Sequence, residues 1–515
     1  MGGSYLWRDS KMEQAAARTA STGTANSAQI STTAAPAPPA ASIAVLAFSD
    51  LSPEGNQAYF SDGIAEEILN VLAHVNGLIV ASRTSSFQFR KSDLGAPAIA
   101  QKLGVRHILE GSVRKAGATV RITAQLIDAS TEQHEWSQTF DRPLTTATLF
   151  AIQDEIAKTI VDHLAATIGG AADVAEPSVR KADTADVDAY DLYLKGHALF
   201  IARTKGNLSE AATILRAAVA KDPKFPRAWK TLAAVLVVSK AWGVGDERDQ
   251  PAALDAADTA LRLDPNLSLA YAVRGEAQSH TIPGRGAASW DDAWAAYSRA
   301  IEVDRTNATA FAWRAMDYAT LGYQDRAIQD YQRCQAIDPT YELCRHHVAR
   351  ANLYLGRTDD ALRLYKVTLE HGYIVNAGVF APAAVARGAR LGALGLLAWE
   401  FRDDPQLTRP LVRALTDPTF SEHDREDAIA LVGKAKNTPN STATALWILK
   451  AYAILGALTD NADDPVIWWL PDDAAWLKSL SRKQLMQRWH LPEYWRAHGF
   501  PPQCRPIGES DFECR

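Results

Sequence analysis

The chain has no basic excess: 54 Lys and Arg stand against 60 Asp and Glu, for a formal charge of −6. Nor does any basic stripe interleaved with aromatics occur, so nothing creates the field that phosphate backbones require, and a nucleic-acid partner is not expected. No run of about 18 uncharged apolar residues is present, so no segment reads as a membrane span. The nearest candidate, Leu446 to Leu458, is interrupted by Lys450 and reads as one buried helix. Common catalytic signatures are missing as well: no G-x-x-x-x-G-K-S/T, no H-E-x-x-H and no G-x-S-x-G. The chain is therefore read as non-enzymatic, with no catalytic residue, cofactor or metal expected. Cysteines number only 4 and form no C-x-x-C, which argues against a redox or zinc role. They fall into two close pairs. Cys504 and Cys514 sit in a short tail with little core of its own, where a disulfide is expected. Cys334 and Cys344 are either bridged or simply buried. Bridges suit an oxidising compartment, whereas four buried thiols suit the cytosol.

What the chain does have is a period. Ala327 and Ala361 are 361 − 327 = 34 residues apart, as are Tyr331 and Tyr365, 365 − 331 = 34. Small and aromatic residues at Phe311, Ala315, Tyr318, Ala327, Tyr331 and Cys334, ending at Pro339, complete the pattern of a tetratricopeptide (TPR) repeat. Upstream ends at Asp222, Asp264, Asp304 and Asp338 are 42, 40 and 34 residues apart. The excess length falls in Gly243–Asp249 and Thr281–Gly286, which are rich in turn formers. First helices carry Trp229/Ala233, Tyr271/Gly275 and Phe311/Ala315, a large residue followed four later by a small one that permits close approach. Second helices carry Ala211/Ala218, Ala253/Ala260, Ala293/Ala300 and Ala327/Cys334 on one face. About five repeats over 186–372 follow, with 373–515 a helical extension and cap. Trp468, Trp469, Trp476, Trp489 and Trp495 are expected to cover the last helices of the array.

Residues 1–41 divide differently. Met1 to Arg8 is compatible with the far end of a membrane helix lost upstream or with an arbitrary start. The Ala-, Ser-, Thr- and Pro-rich stretch to Ala41 is expected to be a disordered spacer. After it comes a strand-length apolar run, Ser42 to Phe48, then helical spacing over Asp62 to Leu72. A short strand at Leu78 to Ala81, a helix at Pro97 to Leu103 and a strand at Val105 to Arg114 follow. Val120 to Ile127 alternates strictly, Gln133 to Phe140 completes a hairpin ladder, and an amphipathic helix runs from Leu149 to Ile168. The order βαβαβββα predicts a small α+β domain at 42–168, helices on one face of a mixed sheet, with a linker at 169–185. The fold class is thus an α+β domain followed by an all-α TPR solenoid.

The motifs Ser42-Ile43-Ala44-Val45-Leu46-Ala47-Phe48, Tyr59-Phe60-Ser61-Asp62-Gly63-Ile64, Ser85-Ser86-Phe87, Leu103-Gly104-Val105-Arg106 and Leu109-Glu110-Gly111-Ser112-Val113-Arg114 resemble the TolB-amino-terminal-like domain of bacterial multidomain proteins. Val120 to Ile127 continues the match, and Glu493 to Cys504 is similar to the end of the same proteins. The resemblance implies a pair of modules held outside the cytoplasmic membrane, often downstream of a class III cyclase or a winged helix. Neither precedes Ser42 in this sequence, which leaves such labels open. The expected location is the periplasmic side of the inner membrane, with the cytoplasm as the alternative.

Individual side chains mostly have plain readings. Asp62, Glu66 and Glu67 are placed as cap and dipole partners at a helix start, and Ser85-Ser86 as a hydrogen-bonded turn. His346 and His347 point about 100° apart on a helix and do not share a ligand face; His74, His107, His134 and His163 lack ligand spacing. The repeat register sends Arg227, Lys230, Glu276, His346 and Arg350 to the concave face. There a cationic groove is expected to hold an acidic segment or a terminal carboxylate of a protein or peptide partner.

Overall fold

The computed structural model describes residues 38–164 and 182–514, leaving out 203, 240–241, 243, 247, 281–287, 436–438, 459–468, 471–475 and 477. The expected spacer up to residue 37, the linker up to residue 181, the Thr281–Gly286 loop and Trp468 lie outside the described residues.

The α+β domain is built on six strands: β1 (Ser42–Val45), β2 (Ser49–Asp50), β3 (Ile79–Val80), β4 (His107–Ala116), β5 (Thr119–Asp128) and β6 (Gln133–Pro143). They run in the order β3-β1-β4-β5-β6, with β2 pairing β4 beside β1. β1 is parallel to both its neighbours, and β4, β5 and β6 form an antiparallel ladder. All four residues of β1 are buried, as a central parallel strand covered on both faces requires. Helices α1 (Ala58–Ala73) and α4 (Thr146–Leu164) cover one face through Ile64, Ile68, Ile152 and Ile156, against Ile43, Val45, Leu109 and Ile122. The other face is not bare. Between a short α2 (Arg83–Phe87) and β4, helix α3 (Ala96–Leu103) brings Ile99 and Ala100 onto Ala44, Ile108 and Ile127. That corrects the expectation of helices on one face only, because Ala44 and Ile108 point opposite to their neighbours and need their own cover.

Five helix pairs follow: α5 (Val187–Ala202) with α6 (Lys205–Lys221), α7 (Pro226–Ser239) with α8 (Asp249–Leu263), α9 (Ser268–His280) with α10 (Ala288–Val303), α11 (Ala308–Thr320) with α12 (Gln324–Ile337), and α13 (Glu342–Tyr354) with α14 (Thr358–Glu370). Each first helix packs against the next first helix, and among the described residues no comparable contact joins successive second helices. The first helices therefore line the inner side of a curve. Gly275 shows why the small positions matter: a Cβ there would sit 2.8 Å from the Tyr297 ring.

The remaining chain forms α15 (Ala381–Ala386), α16 (Arg390–Glu400), α17 (Thr408–Thr416), α18 (Glu422–Val432), α19 (Pro439–Ile448), α20 (Tyr452–Leu458), α21 (Leu480–Arg488) and α22 (Leu491–His498), then a hairpin of β7 (Cys504–Ile507) and β8 (Asp511–Cys514). The single helix expected at Leu446 to Leu458 is two, because Lys450 adopts a left-handed φ of 57° between them. The extension is not wholly helical either: Cys504 pairs with Cys514 across the hairpin and is bridged to it, with Cα atoms 4.0 Å apart. Cys334 and Cys344 are bridged too, at 6.3 Å between Cα atoms, tying the end of α12 to the start of α13.

The aromatic tail shares a core with the last repeat, Trp469, Trp476, Trp489 and Trp495 clustering with Leu353 of α13 and with Leu362 and Tyr365 of α14. It returns to the turn between α11 and α12, where the indole N–H groups of Trp469 and Trp495 donate to the carbonyls of Thr320 and Leu321 at 3.1 and 2.9 Å. The Gln503 amide donates to the Gly322 carbonyl at 2.6 Å, and the Tyr323 hydroxyl to that of Gly499 at 2.5 Å. The exposed carbonyls of a helix end supply the acceptors that buried indoles need.

Candidate functional site: the seam between the domain and the repeats

Of the charged residues singled out in the sequence, Glu66, Glu67, Arg227 and Lys230 converge on one place, where α1 docks onto the first helices of the array. Gly63 makes the approach possible: a Cβ there would lie 2.5 Å from the Leu194 side chain of α5. On either side of this contact stand ion pairs. Glu66 accepts from Arg83 at 2.7 Å and faces Nε2 of His197, on α5, at 2.9 Å. Glu67, buried, pairs with Arg227 of α7, which also pairs with Asp183. Asp191 of α5 completes the seam, accepting from the Tyr59 hydroxyl at 2.9 Å and from Lys115 at 2.5 Å.

Helix α1 begins at Ala58, with Gln57 at its N-cap. Asp62, Glu66 and Glu67 thus lie too far along to serve its start, and the cap and dipole reading is corrected. Asp62 pairs with Arg90. Glu67 sits on the buried stripe with Ile64, Ile68 and Val71. A carboxylate in such a stripe needs a buried opposite charge, a signal the sequence carried and the cap reading missed. Burial works against ionisation of Glu66, but His197 and Arg83 hold it well below the usual carboxylate range.

Arg227 is not open to a partner. Its side chain is 11% exposed, and its guanidinium stands 5.0 Å from the Phe150 ring and 5.5 Å from that of Tyr193. Burial would strip its proton, yet Glu67, Tyr193 and Asp183 raise its affinity for that proton well above the ordinary value. Asp183, assigned to the linker, is instead held in this seam. Lys230, one turn along α7, is half-buried and makes no hydrogen bond or ion pair with the described residues; burial and the charge of Arg227 lower its pKa.

The other expected groove residues lie elsewhere and are enclosed. Glu276 is buried and accepts from the Tyr297 hydroxyl at 2.9 Å. Arg350 is buried over Tyr354. His346 lies among Tyr365, Tyr373 and Phe380, and His347 stacks on Tyr331 at 5.1 Å. Burial and then Arg350 hold the His346 imidazole down to about 3. Glu276, His346 and Arg350 do not join Arg227 in a single cationic groove.

Two contacts extend the docking beyond the seam. Ser82, which caps α2, donates to Asp338 at 3.1 Å, and Ser85 meets Thr340 at 3.2 Å. Both partners lie in the turn between α12 and α13, so the α+β domain touches the array at its first two repeats and again between its fourth and fifth. Ser85 and Ser86 belong to helix α2 rather than to the hydrogen-bonded turn expected.

No family model matches the chain. Over 225 residues it is 34% identical to a protein named putative adenylate cyclase 3 from Rhizobium meliloti (strain 1021). That stretch is 43% of this chain and 38% of the relative, so the chain spans well under half the length of that relative. Among solved structures, a thermophilic TPR protein of Thermus thermophilus aligns with 41% of this chain and 98% of its own, at 24% identity and a TM-score of 0.32. Yeast Tom70 aligns with 68% of this chain and 80% of its own, at 14% identity and a TM-score of 0.35. The repeat fold of this chain stands on its own helix pairs and their packing.

Proposed function

We propose that this chain is a non-enzymatic scaffold for protein contacts, in which a TolB-like α+β domain occupies part of the inner face of a TPR array. The observation that carries this reading is the seam itself: Glu66 and Glu67 are set against His197 and Arg227 on the first helices. An acidic segment of a partner could compete for the same cations, with Lys230 beside them unpaired among the described residues. The two disulfides favour a location outside the cytoplasmic membrane, since such bridges persist in oxidising compartments.

The test is photo-crosslinking from position 230 of the full chain in the bacterial envelope. A discrete protein adduct, strengthened when Glu66→Gln and Glu67→Gln loosen the seam, supports the scaffold. A folded chain that yields no adduct in either form refutes it.

A second reading has its own observation. The identity to part of a protein named as an adenylate cyclase supports a sensor or regulatory piece of a signalling protein. An output domain encoded in frame, or immediately upstream, would favour that reading over the first.

A further inference from the structure

Away from the seam, at the end of the sheet, three strands bring together a histidine and two carboxylates. His107 opens β4, Asp128 closes β5 directly opposite it, and Glu135 lies on β6. Their nitrogen and oxygen atoms all lie within 4.8 Å of one another. Nothing in their sequence spacing announces this, since the three come from separate strands.

The position of Glu135 is not a by-product of regular pairing. Leu126 pairs with Trp136, but Ile127 pairs with His134, so Glu135 is the extra residue of a β-bulge. A bulge re-aims the side chain of the residue it leaves unpaired. Here the Glu135 carboxylate comes to 3.6 Å from Nε2 of His107.

His107 is held for a purpose of the same kind. Its side chain is 4% exposed, and Nδ1 lies 3.1 Å from the Ser42 carbonyl oxygen. A carbonyl only accepts, so Nδ1 carries a proton, and the neutral form of such a ring has its lone pair on Nε2. That lone pair faces a carboxylate oxygen at a separation too long for a hydrogen bond. With the ring neutral, two acceptors face each other across this gap, an arrangement that a cation between them satisfies. Tetrahedral zinc with bonds of about 2.0 to 2.2 Å places neighbouring ligand atoms roughly 3.3 to 3.6 Å apart, which matches the observed gap.

Asp128 is oriented as ligating carboxylates are. One oxygen accepts from the Ser130 backbone and hydroxyl at 2.8 and 2.6 Å, the other from Arg106 at 3.1 and 2.7 Å. Such outer partners fix a ligand's direction and hold it ionised. The set of one imidazole nitrogen and two carboxylate oxygens suits a borderline transition-metal cation better than magnesium or calcium, which prefer oxygen alone.

We propose that His107, Asp128 and Glu135 form a binding site for a divalent cation of the zinc class, joining β4, β5 and β6 at the open end of the sheet. The cysteines of the described chain are all in disulfides, so they offer no competing thiolates. The experiment is a titration of the metal-stripped full chain with zinc ions by calorimetry, with thermal melting in parallel and magnesium as the control cation. Stoichiometric zinc uptake and a raised melting temperature, neither produced by magnesium, are expected. Glu135→Gln lies on the exposed side and leaves the core intact; it should weaken zinc binding at least about tenfold, and His107→Gln should abolish it. His134→Gln, one residue away on the exposed face, should change nothing. Absence of saturable zinc uptake, unchanged affinity in Glu135→Gln, or loss of binding only in His134→Gln would overturn the proposal.

Discussion

Arg227 is the residue on which the seam turns. It neutralises Glu67 and Asp183 in a setting walled by aromatic rings, so Arg227→Met should strand two carboxylates rather than merely remove a contact. Breaking a buried pair from one side typically costs about 3 to 5 kcal/mol. Urea denaturation should show a loss of that order, and a double variant that also carries Glu67→Gln should recover part of it. A second single-residue effect concerns pH. His346 is neutral in the folded chain because burial and Arg350 depress its pKa to about 3, whereas an unfolded histidine takes up a proton near about 6.5. The folded state binds fewer protons between these values, so stability contributed here is complete above about pH 6.5 and declines as the pH falls toward 3. His346→Leu should flatten that decline, read as urea midpoints at about pH 7.5 and about pH 5. His347, whose pKa is also depressed by burial and by Arg350 and His346, should keep part of the slope. An unchanged slope in His346→Leu would mean that His346 does not stay neutral when folded.

Between elements, packing distance is set by glycines. Gly275→Leu would drive a side chain into Tyr297 and is expected to cost about 1 to 3 kcal/mol through overpacking, seen as a lower melting temperature. Gly63→Ile acts on a different joint. It displaces Leu194 and should part α1 from α5, so amide exchange should rise in both helices while β4 and β5 stay protected. These elements also show how much could be read in advance. The helix pairs were legible because large and small residues recur at fixed spacing, and the hairpin ladder because Val120, Ile122, Ala124 and Leu126 alternate with polar residues. What escaped was set by tertiary partners. The cover of α3 over Ala44, the break at Lys450 and the β7–β8 hairpin leave little local pattern. The seam was half legible: its residues were named, but Glu66 and Glu67 were assigned to a helix end and Arg227 to a partner-binding groove, because neither half of a buried pair reveals the other. The His107 cluster was illegible, since a bulge and two strand crossings assemble it.

At the scale of the whole molecule, both flanking segments fold back on the array. The tail depends on its bridge. Replacing Cys504 and Cys514 by Ser should destabilise the hairpin by about 2 to 3 kcal/mol in the chain-entropy model, and exchange should rise in Trp495 and Gly499 before the repeats respond. Mass spectrometry of non-reduced protein from the envelope should find no free thiol at either position; free thiols at both would remove the bridge and weaken the case for an oxidising location.

A stack of repeats in which each touches only its neighbours behaves as a spring, stretching and twisting a little at every joint. This one is braced. The α+β domain grips Leu194, His197 and Arg227 near one end and Asp338 and Thr340 far along the array, as a strut spans an arch. Tension on the array would load the strut first, so extension should begin with an abrupt rupture at Glu67–Arg227 or Ser82–Asp338 and only then become compliant. The curvature of the array is thereby tied to the state of the seam, and whatever loosens the seam also releases the shape.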